Sequence, residues 1–181
     1  MNLPITISTT TGEDLTFLRK ITNEQGQEVL EVENNVAPKA GPPMHIHWKQ
    51  DESITVVSGK IGYQVLGEAV KYAGPGETLL FKRGVAHKFW NAGEDMLHCK
   101  GWVSPPDNII YFLSEIYRSS NENNGRPGTF DAAFLLNRYK SEFDMVEIPA
   151  FVKRAIFPVT LFLGRLQGKH KRFKDAPEPV L

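Results

Sequence analysis

The chain contains very little cysteine and no excess of charge of either sign. Cys99 is the single cysteine, so no disulfide can form within the chain, which fits a reducing compartment. Lysine and arginine together number 21, as do aspartate and glutamate, so the net charge is zero. Because a balanced chain has no overall field that attracts phosphate, the composition argues against a nucleic-acid-binding protein.

Long hydrophobic runs are also missing. No stretch approaches the roughly 18 apolar residues of a membrane-spanning helix. The first residues, Met-Asn-Leu-Pro-Ile-Thr-Ile, lack the charged and apolar regions of a signal peptide, so we expect a cytoplasmic location. With 181 residues, of which 41% are hydrophobic, the chain is long enough for one domain with a sizeable core and an appended segment.

Strand signals dominate the first hundred residues. Alternating or β-branched runs, separated by turn residues such as Ser58-Gly59 and Ala92-Gly93, predict eight strands. Their ranges are 4–9, 15–21, 27–36, 53–58, 61–66, 78–81, 86–91 and 96–103. Many short strands at regular spacing are typical of an antiparallel sandwich or barrel.

The pattern changes to helix after Trp102. Ser104-Pro-Pro-Asp107 resembles a capping box, and an amphipathic stripe follows it at Ile109, Phe112, Leu113 and Ile116. Further helices are predicted at 130–143 and from about Pro149, the latter interrupted or kinked at Pro158. We therefore expect a β unit over residues 1–104 and a helical extension over residues 105–181 that packs on it and shapes access to its interior.

Histidines and a glutamate form the clearest functional pattern. His45 and His47 are one residue apart, Glu52 follows five residues later, and His87 lies in a second block. Because a strand points residues i and i+2 to the same face, His45 and His47 would project side by side. Imidazole and carboxylate ligands suit iron, manganese, nickel, copper or zinc, so the pattern indicates a divalent transition metal site. The alternative is that these are surface or core histidines without a ligand role.

The spacing resembles the two motifs of the cupin superfamily. Its first motif, G-x(5)-H-x-H-x(3,4)-E-x(6)-G, is matched from His45 to Gly59, with Gly41 two residues nearer than the pattern asks. Its second, G-x(5)-P-x-G-x(2)-H-x(3)-N, is matched by Gly76, Gly84, His87 and Asn91, with lysine at position 82 in place of proline. The resemblance covers roughly residues 27–103. It implies an antiparallel jelly-roll β-barrel that holds a metal through His45, His47, Glu52 and His87.

Three further residues are candidates for a substrate pocket. Phe89 and Asn91 share the strand parity of His87, and Tyr63 has a hydroxyl that could donate to a ligand. Each has a structural alternative: Phe89 as pocket wall, Asn91 as a turn residue and Tyr63 as a core residue.

The reaction stays open, because one scaffold hosts many functions. The resemblance implies a metal-dependent enzyme acting on a small organic molecule, either a dioxygenase or an isomerase-like cupin. The alternatives are a non-catalytic sensor or carrier that binds a small-molecule ligand through the metal, and a protein whose metal is only structural. An open shell of histidines and one carboxylate argues against a purely structural metal, since closed structural zinc sites prefer cysteine-rich shells.

The C-terminal part suggests contacts with other surfaces. Apolar residues at 155–163, together with Trp48 and Trp90, predict a homodimer. Residues 148–174 contain seven lysines or arginines and no acidic residue, a composition also found in helices that lie on membranes. We expect this segment to dock on the β unit with a solvated basic edge, and we expect no membrane contact.

Overall fold

The computed structural model describes residues 2–181 and contains eleven strands within them. In chain order these are β1 (Ile5–Thr9), β2 (Glu13–Thr22), β3 (Glu28–Val36), β4 (His45–His47), β5 (Asp51–Ser58), β6 (Ile61–Val65), β7 (Lys71–Ala73), β8 (Thr78–Phe81), β9 (His87–Asn91), β10 (Leu97–Ser104) and β11 (Phe143–Met145). One sheet has the order β1-β2-β3-β10-β5-β8 and the other has the order β11-β4-β9-β6-β7. Every pairing is antiparallel.

The two sheets face each other across an apolar core. Alternation along β5 buries Ile54 and Val56, and alternation along β9 buries Phe89. These side chains belong to one cluster with residues of both sheets: Val36, Leu79, Phe81, Leu97 and Cys99 from the larger sheet, and Ile61 and Ala73 from the smaller. This is the arrangement of a double-sheet jelly roll, so the predicted mainly β, antiparallel fold class with C-terminal helices is confirmed.

Three α-helices cover the part of the larger sheet that the smaller sheet leaves free. They are α1 (Ile109–Glu122), α2 (Thr129–Arg138) and α3 (Phe157–Leu166); a π-helical turn at Val152–Ile156 precedes α3 and a 3-10 turn at Lys169–Phe173 follows it. Strand residues Phe17, Leu30 and Val103 pack with helix residues in a second core cluster. Its helical members include Phe112, Phe130, Leu135 and Phe157, and Tyr139 joins the cluster from the turn after α2. The helices therefore complete the hydrophobic core.

Three strands, one helix start and one helix end differ from the sequence expectation. The helix predicted at 130–143 ends at Arg138, and β11 begins at Phe143. The three-residue strands β4, β7 and β11 are too short to give a periodic signal, and β11 pairs with β4 from a position far along the chain. The capping box at Ser104 does not form: α1 begins after Asn108, and Ser104 Oγ donates to the carbonyl of Glu28 instead. The amphipathic stripe of α1 is confirmed, since Ile109 and Phe112 are buried.

Candidate metal centre

Strand pairing brings His45, His47 and His87 together. The pleat of β4 sends His45 and His47 to the same side, and β9 pairs with β4 so that His87 lies directly opposite His45. Glu52 comes from β5 of the other sheet, on the face that also carries Ile54. One ligand atom from each of the four residues lies within 4.8 Å of the others. The side chains that the motifs predicted as ligands thus form one cluster between the sheets.

Backbone carbonyls orient two of the three imidazoles. His45 Nδ1 lies 2.8 Å from the carbonyl oxygen of Pro43, and His87 Nδ1 lies 2.9 Å from that of Val85. Because a carbonyl only accepts hydrogen bonds, each Nδ1 carries the proton and each Nε2 is turned toward the cluster. This is the second-shell arrangement that fixes the tautomer of metal-binding histidines.

The carboxylate of Glu52 lies at the centre of the cluster. Its Oε2 is 3.0 Å from His87 Nε2 and 3.5 Å from His47 Nε2. Lone pairs of oxygen and nitrogen at this separation need a positive centre between them, and either a proton or a metal cation meets that need. His47 Nδ1 is buried and has no hydrogen-bond partner within residues 2–181. The donor set therefore fits a divalent transition metal.

Burial sets the charge states that a metal requires. Burial, with the neighbouring His47 and His87, lowers the pKa of His45 to about 3. Burial also lowers the pKa of His47. Burial by itself would raise the pKa of Glu52, but the hydrogen bond from His87 and the adjacent imidazoles hold it at about 2. At neutral pH, His45 and His47 are therefore neutral and Glu52 is ionised, which are the ligand forms that bind metals.

Aromatic rings hold two of the histidines in place. The ring of Phe81 stacks on His87 with 4.0 Å between centroids, and Phe143 of β11 meets His47 edge-on at 5.6 Å. His47 and His87 are buried, whereas His45 and Glu52 are partly exposed. The cluster is therefore closed behind His87 and accessible from the side of His45 and Glu52, so a ligand could reach a metal there.

A small cavity adjoins Glu52 inside the fold. Its volume is about 30 Å³, with room for about two water molecules. The side chains and backbone around it belong to Leu15, Val32, Asn34, Glu52, Ser53, Ile54, Phe89, Cys99, Lys100 and Gly101. The enclosed part of the site therefore admits a few non-hydrogen atoms.

The three predicted pocket residues have different positions. Phe89 is buried and lines the cavity. Tyr63 packs at the edge of the inter-sheet core with its ring 6.2 Å from that of Phe81, and it is not among the cavity residues. Asn91 organises a turn: Nδ2 donates to the carbonyls of Val36 and Asp95, and Oδ1 accepts from the Gly93 amide.

Two buried polar residues, Asn34 and Glu13, were not predicted from the sequence. Asn34 lines the cavity, and its Nδ2 donates to Glu13 Oε1 at 2.8 Å. Asn34 Oδ1 is also buried and has no hydrogen-bond partner among residues 2–181. The strand period could have predicted the burial of Glu13, because Glu13, Leu15 and Phe17 are two residues apart and lie on the same buried face of β2.

The chain departs from the two motifs in the position of Gly41 and in having Lys82 in place of proline, and the structure gives a local setting for each. Gly41 has φ +151°, and a Cβ there would lie 2.2 Å from the carbonyl oxygen of Phe89, so the loop before β4 passes too close to β9 for any side chain. The turn that contains Lys82 closes through the Val85 amide, which donates to the Lys82 carbonyl at 3.1 Å. Asp51 stabilises that turn by accepting from the Arg83 amide at 2.9 Å.

Residues 33–103 match the family described as "Cupin domain". The chain contains a cupin domain. The matched segment includes all four candidate ligands, and the larger sheet and the helices extend beyond it.

Curated and solved proteins resemble parts of this chain. The "Probable oxidoreductase virH" of Hypocrea virens is 35% identical over 68 residues, which are 36% of this chain and 31% of that protein. The chain thus matches about a third of the length of this relative. Among solved structures, KdgF from a Halomonas species has a TM-score of 0.49 at 17% identity, covering 59% of this chain and 92% of that one. An RmlC-like cupin from Shewanella frigidimarina has a TM-score of 0.47 at 17% identity, covering 56% and 84%.

Within residues 2–181, none of the helices combines the length and the apolar character needed to cross a bilayer.

Proposed function

We propose that the cupin domain binds one divalent transition metal through His45, His47, Glu52 and His87. The observation that carries this proposal is the convergence of four ligand atoms within 4.8 Å from three strands of two sheets. The neutral imidazoles, the ionised carboxylate and the carbonyls behind two of the rings support it. Iron, manganese, nickel, copper and zinc all suit this ligand set.

We further propose that the metal serves a reaction on a small organic molecule, most specifically a metal-dependent dioxygenase reaction. When bound, the metal supplies Lewis acidity or redox chemistry at a coordination position left open by the protein. The accessible side at His45 and the small cavity beyond Glu52 support a site that admits a ligand. The name of the partial relative, an oxidoreductase, fits this class, although the match covers about a third of that protein.

The residues of this chain would position the ligand and exclude water. Phe89 and Ile54 provide apolar walls at the cavity, which keep bulk water away from the reacting end of a ligand. Asn34 is a neutral polar residue of the same cavity, so it would favour a ligand with a polar group at that end. In the metal-free protein, a proton shared between His87 Nε2 and Glu52 Oε2, which are 3.0 Å apart, would hold the carboxylate in position.

Metal analysis of the purified protein tests the first proposal. We expect about one transition metal ion per chain in protein expressed in supplemented medium, and a loss of it in the double variant His47→Ala/His87→Ala. The matched control is His98→Ala/His170→Ala, which removes two histidines outside the cluster. Equal metal content in the two double variants would rule the ligand assignment out.

Oxygen uptake tests the reaction. Protein loaded with iron or nickel would be assayed with flavonols, diketones, thiols and hydroxybenzoates, with His47→Ala/His87→Ala as the control. Consumption of oxygen that requires both the organic substrate and the intact cluster supports a dioxygenase. Product formation without oxygen uptake would instead support the isomerase-like alternative.

A non-catalytic ligand-binding or sensor role is the second candidate. Among the cavity residues, the ionisable side chains are Glu52, Lys100 and Cys99, and burial raises the pKa of the Cys99 thiol to about 12. Lys100 is exposed, so the cavity has no evident proton acceptor besides Glu52 within the described chain. Metal-dependent binding of a ligand by calorimetry, without turnover in any assay of the panel, would favour this role.

We also propose a homodimer, formed through the β unit. Trp48 is exposed, as are Leu66, Tyr72 and Leu80 on or beside the strands. Trp90 is less available than the sequence suggested, because its indole packs over Gly62 and beside Tyr72. Light scattering would return about twice 20.4 kDa for the dimer. A mass near 20.4 kDa at micromolar concentration would exclude it. The cytoplasmic location stays a prediction from the sequence.

A further inference from the structure

Helix α3 has two apolar faces, of which one is buried. Phe157, Leu161 and Gly164, at spacings of four and three residues, face the protein, and Gly164 lies against the ring of Phe130 in α2. The opposite face carries Val159, Phe162, Leu163 and Leu166 at i, i+3, i+4 and i+7. The sequence expectation of a docked segment therefore holds for one face only.

The second face leaves large apolar side chains in contact with solvent. Phe151 is 65% exposed, Phe162 is 62% exposed and Leu166 is 73% exposed. We define the apolar ridge as the exposed residues Phe151, Ile156, Val159, Phe162, Leu163 and Leu166. Single exposed apolar residues are ordinary on a protein surface, but a contiguous group on one helix marks an interaction site.

Uncompensated positive charge accompanies the apolar ridge. Residues 148–174 include seven lysines or arginines and no acidic residue. Two of the seven are neutralised within the fold, Lys153 by Asp144 and Arg172 by Asp131 and Glu122. The other five are exposed and form no salt bridge within residues 2–181: Arg154, Arg165, Lys169, Lys171 and Lys174.

We propose that the apolar ridge and these five cations dock the protein on the surface of an anionic phospholipid bilayer. A helix of this kind lies in the plane of the interface with its apolar side chains about 5–10 Å into the headgroup region. Phenylalanine and leucine fill that layer, and lysine and arginine pair with the phosphates and carboxylates of anionic lipids. The two components of the surface therefore each have a counterpart in such a membrane.

A second copy of the chain is a poorer occupant of this surface. In a two-fold symmetric dimer, the same patch faces itself, so the five cations of one copy would lie near those of the other. Like charges brought together at an interface repel, and no acidic residue between 148 and 174 offsets them. An anionic membrane would instead attract the same five cations.

Vesicle sedimentation of the purified 181-residue protein tests the proposal. The vesicles would contain phosphatidylcholine alone or with about one-third phosphatidylserine, a strongly anionic surface. We expect the protein to bind the anionic vesicles at least about tenfold more tightly than the neutral ones, and to dissociate as salt rises from about 0.1 M to about 0.5 M.

Two variants separate the contributions of the surface. Phe162→Ser/Leu166→Ser removes exposed apolar area, and Arg165→Gln/Lys169→Gln removes charge while keeping the apolar ridge; each should weaken anionic binding by about tenfold. The control, Ile21→Ser/Met96→Ser, removes two exposed apolar side chains of the β unit that belong neither to the apolar ridge nor to the proposed dimer contact, and it should leave binding unchanged.

Three results would overturn the proposal. One is the absence of binding to anionic vesicles, and another is binding that Phe162→Ser/Leu166→Ser leaves unchanged. The third is a lipid-free dimer in light scattering that becomes a monomer in Phe162→Ser/Leu166→Ser but not in Leu66→Ser/Leu80→Ser, which alters the proposed β-unit contact; that result would assign the apolar ridge to self-association.

Discussion

His87 and Glu52 lie in different sheets, yet His87 Nε2 and Glu52 Oε2 are 3.0 Å apart. The contact joins the two sheets at the candidate metal centre and directs an anionic oxygen at three imidazoles. Glu52 is therefore the single charge in the cluster that can compensate a divalent cation.

We predict that Glu52→Gln weakens metal binding by at least about tenfold, because an amide oxygen lacks the charge that balances the cation. Metal content and titration with a competing chelator measure the change. Glu33→Gln is the matched control, since Glu33 also pairs with a histidine, His98, but outside the cluster. Equal losses in the two variants would contradict a role for Glu52 as ligand.

Metal removal should lower the thermal stability of the protein. A ligand that binds only the folded state stabilises it in proportion to the logarithm of its concentration over its Kd, so chelation should reduce Tm by several degrees. Restoring the metal should restore Tm. His47→Ala/His87→Ala should show no response to either treatment. A Tm that does not change on chelation, in protein shown to contain metal beforehand, would argue against binding at this inter-sheet site.

Gly164→Ala should destabilise the protein, although alanine normally stabilises a helix by about 1 kcal/mol relative to glycine. A Cβ at position 164 would lie 2.0 Å from Cδ2 of Phe130, whose ring is buried, so the packing between α2 and α3 must open. Overpacking of this kind costs about 1–3 kcal/mol. Urea denaturation measures it, and the background variant Phe130→Leu should relieve most of the loss. Stabilisation by Gly164→Ala alone would show that the ring moves freely.

Glu13→Gln should change how stability depends on pH. Burial raises the pKa of Glu13 above its ordinary value of 4.5, so between 4.5 and the folded-state pKa the folded chain holds more protons than the unfolded chain. The contribution of Glu13 to stability therefore falls as pH rises through this window, and above the folded-state pKa the buried carboxylate disfavours folding. The Tm of Glu13→Gln minus the Tm of the wild type should therefore be more positive at pH 8 than at pH 4. The exposed neighbour variant Asp14→Asn should show no such difference, and parallel pH profiles for Glu13→Gln and the wild type would contradict the prediction.

Truncation after Pro105 should leave an insoluble product. The helices cover Phe17, Leu30 and Val103 of the larger sheet, and β11 provides the pairing partner of β4, which carries His45 and His47. Without them, the apolar face and the edge of β4 are exposed. Solubility, and metal content where soluble protein is obtained, measure the effect. A soluble product with unchanged metal and ligand affinity would show that the helical extension neither completes the core nor shapes the site.

The sequence by itself determined the local features of this protein. The two-residue period of a strand places His45 and His47 on one face whatever lies around them, and the period of α1 predicts that Ile109 and Phe112 are buried. The motif spacing also identified Glu52 and His87 as partners of the first pair. These features depend on backbone geometry over a few residues, and the order of apolar and polar residues in the sequence indicates that geometry.

The tertiary structure alone decided which distant segments meet. The register of β4 with β9 sets His45 opposite His87, and β11 joins the same sheet from a position after two helices. The lack of a partner for Asn34 Oδ1 within residues 2–181 likewise depends on tertiary packing, as does the face of α3 that stays exposed, because Phe130 covers the opposite face at Gly164. Such contacts depend on how whole surfaces fit together. A local sequence pattern shows which residues share a face of a strand or helix, but it does not show which other segment packs on that face.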